Sequence, residues 1–250
     1  MSATEPTDAA RQAWAAAQGA MGLLILAAVA AQARATIERT VGLGRDLPTT
    51  MANFFSYFTI LSNIFCAVVL LLAAWWMTRP RSKPQEAAWL AILLACATTY
   101  MIATGMVYNL LLRAIALDQG TTVPWSNEVL HLFGPAFMLL HALCGPWPRT
   151  LPGKSVALVL IFPLAWLGYT LIRAPFVTAP ATGVPWWYPY PFLDQHLQGG
   201  YGPVVGIRRR YCRSHNCHRL CGCCAGAVAA PPAGSAGDLD VRHAAAVGVV

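Results

Sequence analysis

Charge is what this sequence has least of. Asp, Glu, Lys and Arg make up only 11% of its 250 residues, under half the roughly 25% typical of soluble domains. A soluble domain of this length would lack the polar surface to cover itself, so that class is excluded. Neither a GxSxG elbow nor an HExxH helix occurs, which removes the α/β-hydrolase and zinc-protease routes to hydrolysis. The formal net charge of +7 is not interleaved with aromatic residues, and without that pattern nucleic acid is not an expected partner. No cofactor motif is present. His131 and His141 lie ten residues apart on one predicted helix, about 15 Å along its axis, so they cannot ligate one haem iron.

What the sequence has in abundance is apolar length. Hydrophobic residues reach 57% and mean hydropathy is +0.51, gathered into runs near the roughly 20 residues that cross a bilayer. The runs predict an all-α, polytopic transmembrane bundle of five spans with a degraded or frameshifted sixth. The spans fall at about 14–36, 54–77, 87–112, 126–147 and 155–172, separated by turn chemistry at Gly42, Gly44, Pro48, Pro80, Pro84, Gly145, Pro146 and Pro148. Residues 1–13 form a predicted cytoplasmic tail and 14–205 the bundle. Ala31-Gln32-Ala33 has the small-residue form of a signal-peptide cleavage site. Against cleavage stand Glu5 and Asp8 beside Arg11, and the length of the apolar stretch.

Lys and Arg near the span ends set orientation. Arg79, Arg81 and Lys83 in the second loop and Arg149 and Lys154 in the fourth place the even loops and the N-terminus in the cytoplasm; Arg39 and Arg45 in the first loop pull the other way. The expected location is a multi-pass position in a bacterial cytoplasmic membrane, with membrane lipids as partners.

From Arg208 the character changes, and five of the eight cysteines fall between Cys212 and Cys224. Their spacing is not that of a paired CxxC zinc site, and no metal site is expected. Reading each codon's last two bases with the first of the next turns Cys into Val or Ala, and Tyr, His and Asn mostly into Ile or Thr. The stretch then becomes an apolar span, so 206–250 is expected to be an out-of-frame tail where a sixth helix would stand. A genuine cysteine tail would instead point to metal or redox sensing.

Polar groups inside a bilayer are costly, so those within spans are the first place to look for chemistry. Ser56, Thr59 and Asn63 are spaced to share one helical face of the second span, with Ser62 beside them; Asn127 and His131 share a face of the fourth. Pro135 cannot donate to the carbonyl four residues earlier, which predicts a bend at His131. Spans two and four begin on the same membrane face, and Thr59 and His131 each lie about 7 to 8 Å inside, at 1.5 Å per residue. A hydroxyl and an imidazole at one depth are the minimum for a base-activated nucleophile. Asn63 and Asn127 are candidates to orient the imidazole or donate to an oxyanion. Tyr100, Thr104, Tyr108 and Asn109 form a polar stripe on the third span, for which lining a cavity and bonding neighbours are equal readings. The fifth loop, Pro185-Trp186-Trp187-Tyr188-Pro189-Tyr190-Pro191-Phe192-Leu193-Asp194, reads as an interfacial aromatic belt that also caps an entrance through Tyr188, Tyr190 and Asp194.

Phe58-Thr59-Ile60-Leu61-Ser62-Asn63, Asn127-Glu128-Val129-Leu130-His131 and Tyr188-Pro189-Tyr190-Pro191-Phe192-Leu193-Asp194 together resemble the bacterial Pr6Pr membrane proteins. That family is similar to the animal androgen-induced-gene and androgen-dependent TFPI-regulating proteins, six-helix membrane hydrolases of fatty acid esters of hydroxy fatty acids. The likeness spans about residues 14 to 205 and stops where the last helix would stand. It implies a metal-free hydrolase of lipid esters with Thr59 as nucleophile and His131 as its partner. The rival function is lipid binding or transport without chemistry.

Overall fold

The computed structural model describes residues 8–79, 87–113, 122–145, 151, 153 and 155–198. Two compact units divide the chain, 1–204 and 205–250, and all described residues belong to the first. The expected out-of-frame tail lies outside the described residues, as do most of the second and fourth loops, whose basic residues carried the orientation argument.

The described residues are helical and contain no strand. Helix α1 (Asp8–Gly42) has 35 residues, about 50 Å at 1.5 Å per residue against a hydrocarbon core of roughly 30 Å. It therefore continues through Glu38 and Arg39, past the apolar run that defined the first span. Gly44, at φ 63°, turns the chain. The Asp46 carboxylate accepts the Thr49 N–H at 2.8 Å and Pro48 stands in the first turn, which starts α2 (Leu47–Phe54). That bond holds the Asp46 carboxyl below its usual range.

Helix α3 (Phe58–Thr78) follows after a break at residues 55–57. The expected second span is thus α3, beginning four residues later than expected, and the Ser56–Thr59–Asn63 face is corrected: Ser56 sits in the break, where its hydroxyl bonds the Ala52 carbonyl and Tyr169. Only Thr59 and Asn63 share α3. Helix α4 (Ala88–Val107) passes into a π-helical turn, Tyr108–Leu112. The fourth helical run, α5 (Pro124–Glu128), a second π turn (Val129–Phe133) and α6 (Gly134–Cys144), is continuous. Helix α7 (Ser155–Arg173) carries Pro163, and α8 (Gln195–Gln198) ends the described chain.

Four helical stretches, Asp8–Gly42, Phe58–Thr78, Ala88–Leu112 and Ser155–Phe176, are long and apolar enough to cross a membrane. Their core runs through Ile25, Ala28, Ala67, Leu70, Ala97, Met101 and Met138. Gly22 brings α1 against α3, since a Cβ there would lie 3.1 Å from the Ala67 carbonyl oxygen. In the C-terminal half of α1, Ser126 bonds the Ala28 carbonyl and the Val123 N–H bonds Gln32, while Asn53 of α2 bonds Arg173 at the end of α7.

Candidate functional site

The bundle's interior prolines dictate where its polar side chains go. Pro135 has no N–H, so His131, four residues back, loses its α-helical donor. Around it the backbone widens into the π turn, in which the Gly134 N–H bonds Val129. In that wider register Pro135 would have to serve Leu130, which it cannot. Both stripped carbonyls are taken by amides from other helices: Asn109 Nδ2 donates to His131 at 3.0 Å and Asn63 Nδ2 to Leu130 at 3.3 Å. The same logic holds in α7, where Pro163 strips Val159 and the Tyr100 hydroxyl donates to that carbonyl at 2.9 Å. An unpaired carbonyl in hydrocarbon costs several kcal/mol, so these three bonds are what allow the prolines to stand inside helices. Where a bend was expected, at His131, the structure shows this change of register.

Thr59 occupies the first turn of α3, where helix N–H groups lack partners. Its N–H donates to the Tyr190 hydroxyl at 3.2 Å, and its own hydroxyl shares a hydrogen bond with the same phenol at 3.1 Å. Burial pushes the Tyr190 phenol above its ordinary range despite those bonds, so it stays neutral. The aromatic loop is therefore packed into the end of the bundle, with Trp187, Tyr188, Tyr190 and Leu193 buried. Asp194 bonds the His196 N–H at 2.8 Å and lines a separate hollow with Tyr188.

His131 Nδ1 lies 2.9 Å from the Asn127 carbonyl oxygen. A carbonyl only accepts, so Nδ1 carries the proton and Nε2 keeps its lone pair. The ring stacks on Tyr108 at 3.7 Å between centroids, and Asn127 Nδ2 fixes the Tyr108 hydroxyl at 2.7 Å. Asn63 donates also to the Thr59 carbonyl at 2.8 Å, and its Oδ1 is buried without a partner. Asn127 and Asn63 thus hold the frame: one positions His131 and Tyr108, the other ties the first turn of α3 to the π turn. Arg113 orients Asn109 at 2.7 Å and pairs with Glu128.

Between α3, α4, α7 and the aromatic loop lies a cavity of about 330 Å³, at the lower end of the usual small-ligand range. Phe58, Val107, Leu164, Trp166 and Leu193 give it apolar walls; Thr59, Thr104, Tyr108 and Tyr190 bring the hydroxyls. No charged residue lines it. Thr59 and His131 are not hydrogen-bonded to each other: Thr59 faces the cavity with Tyr190, and His131 lies against Tyr108, a wall of the same cavity. Sequence reasoning missed two things here. The Tyr190 partnership joins residues 131 positions apart, and the role of α4's stripe becomes legible only when each stripped carbonyl is matched to a donor. Ser62 bonds Thr104 at 3.0 Å, which agrees with its place beside the Thr59 face. Among the described residues no three His, Cys, Asp or Glu side chains gather as a metal site. No family model, curated protein or solved structure matches the chain.

Proposed function

We propose that this chain is a multi-pass protein of a bacterial cytoplasmic membrane, N-terminus inside, that hydrolyses lipid esters with Thr59 as nucleophile and His131 as base. The observation that carries this is the Thr59 hydroxyl at the polar edge of an uncharged, apolar cavity. An acyl chain fills the apolar part and its ester carbonyl meets Thr59. His131 Nε2 takes the hydroxyl proton as Oγ1 bonds the carbonyl carbon, and the neutral Tyr190 phenol donates to the oxyanion. Collapse breaks the carbon–oxygen bond to the alcohol, which leaves with the proton from His131. Water then attacks the acyl-threonine, His131 again taking and returning the proton, to release the acid. Tyr108 must first swing off the His131 ring to let it meet Thr59, because the ring now lies against that side chain.

The second reading is lipid binding without cleavage, favoured by the Thr59–Tyr190 hydrogen bond, which occupies the nucleophile. Reconstituted chain offered a long-chain ester separates them. On the hydrolase reading Thr59→Ala and His131→Ala each abolish cleavage, the double variant is little worse, and Ser62→Ala is mild. If the unmodified chain cleaves no ester while Leu164→Trp, which fills the cavity, blocks lipid capture, the binding reading replaces it; full cleavage by both single variants would remove Thr59 and His131 from the chemistry.

A further inference from the structure

A second pocket lies at the same end of the bundle and has the opposite chemistry. Arg39 at the end of α1, Arg45 in the first loop and Asn53 on α2 line it, closed by Trp187 of the aromatic loop. Its volume is about 40 Å³, roughly three water positions at 10 to 15 Å³ each, the footprint of a tetrahedral oxyanion.

Several observations fix the sign of what fits. Two guanidiniums and no carboxylate line the pocket. The hydroxyl hydrogens of its threonines are spent on helix carbonyls: Thr36 donates to Gln32 at 2.9 Å, Thr40 to Thr36 at 2.6 Å and Thr50 to the Asp46 backbone at 2.7 Å. Donors to a ligand are then offered by Arg45 and Asn53, with the Arg39 guanidinium lining the same pocket. Asn53 is buried and its amide is oriented, because Oδ1 accepts from Arg173 at 2.7 Å and only the Nδ2 donors remain. Among the described residues the acids near this end are paired elsewhere: Glu38 with Arg34, Asp46 with the Thr49 N–H, Glu128 with Arg113 and Asp194 with the His196 N–H. Among the described residues neither Arg45 nor Arg173 has a carboxylate partner. Arg45 stands just past the end of α1, a helix longer than the bilayer core, at the level of lipid headgroups.

We infer that Arg39, Arg45 and Asn53, with Arg173 as the positioning residue behind Asn53, form a binding site for a phosphate group. The forked geometry of two guanidiniums suits a tetrahedral oxyanion. A phospholipid headgroup and free inorganic phosphate both supply that chemistry. The site rests on the membrane reading of the chain and not on any reaction at Thr59.

The test uses the full chain in a phosphate-free sugar detergent, with native mass spectrometry of bound phosphatidylglycerol against a glycosyl-diacylglycerol of the same acyl chains, and a thermal-shift titration with inorganic phosphate. Phosphatidylglycerol should be retained at least about tenfold better than the glycolipid, and Arg45→Gln and Arg39→Gln should each lower its retention about tenfold, the worth of one charge-assisted bond. Arg79→Gln removes the same charge at the end of α3, outside the pocket, and should leave retention unchanged. Inorganic phosphate that displaces the lipid and raises the melting temperature only when Arg45 is present would identify the free anion as the source. Equal retention of both lipids with no phosphate shift overturns the site, as does an Arg79→Gln loss as large as that of Arg45→Gln. Far-ultraviolet circular dichroism confirms that each variant keeps its helix content.

Discussion

Along the α1–α3 seam, helices meet through Gly22, Ala28, Ala67 and Ala73. Small side chains let the backbones approach, and dispersion holds them. On the polar face of α4 the contact is different. Tyr100 and Asn109 reach across to carbonyls that Pro163 and Pro135 have stripped on neighbouring helices, while Thr104 bonds Ser62 and Tyr108 stacks on His131. The difference teaches that in this bundle polar side chains follow broken backbone. Where helices are unbroken, closeness suffices. Where a proline interrupts one, a neighbour must replace the missing donor, and the space left by the interruption becomes the cavity.

The comparison breaks first where α4 meets the second π turn and the proline that follows it. A Cβ on Gly105 would lie 2.9 Å from Pro135 Cβ and 3.2 Å from the His131 carbonyl oxygen, neither able to give way. Gly105→Val should therefore destabilise by about 3 kcal/mol, read as unfolding in detergent. Gly22→Ala, which meets a movable Leu71 side chain as well as the Ala67 carbonyl, should cost less, about 1 kcal/mol. A larger loss at Gly22 would put the tightest packing in the seam instead. Next, Asn109→Leu leaves the His131 carbonyl unpaired and should cost about 2 kcal/mol. Pro135→Ala restores a backbone donor to that carbonyl, so the double variant should recover at least about 1 kcal/mol of it. Strict additivity would mean that Asn109 is not replacing what proline removes. Tyr100→Phe should follow at about 1 kcal/mol, with the same rescue by Pro163→Ala.

The smallest effect lies outside the bundle core. The folded pKa of Asp46 is lowered, so its capping of α2 is present above the ordinary carboxylate range and is lost as pH falls through the folded value. Hydrogen exchange at the Thr49 N–H should quicken relative to neighbouring amides over that acidic window. Asp46→Asn, which keeps an acceptor without a titrating charge, should hold the protection flat. A window unchanged in the Asn variant would place the acid sensitivity elsewhere.

Much of the fold was legible because apolar run length and proline placement act locally. The all-α class and the third and fifth helical runs follow from those signals; at His131 proline signalled an irregular helix, though as a bend and not as the π turn that is there. Helix α1 outran its span because helix propensity continues through Glu38 and Arg39 after hydropathy stops. The break at residues 55–57 was hidden because Phe55, Ser56 and Tyr57 carry no proline or glycine, and it is the buried loop that stabilises it: Tyr57 packs edge-on to Trp187 and Tyr190. For the candidate residues the sequence offered side chains and not their bonds. Asn63 ties the Thr59 carbonyl to that of Leu130, and the Asn127 carbonyl meets His131 Nδ1, while Thr59 and His131 share no bond. Their partners, Tyr190, Tyr108 and backbone carbonyls, depend on how three non-adjacent helices and a loop pack, which no spacing rule contains.

The central claim is that Thr59, at the edge of the apolar cavity, is the reactive group and depends on His131. Treating membranes that contain the chain with a fluorophosphonate bearing a long alkyl chain, then mapping the adduct by peptide mass spectrometry, tests it most directly. The account predicts one adduct on Thr59 Oγ1, absent in Thr59→Ala and strongly reduced in His131→Ala. An adduct on another residue, or undiminished labelling of Thr59 in His131→Ala, would contradict it.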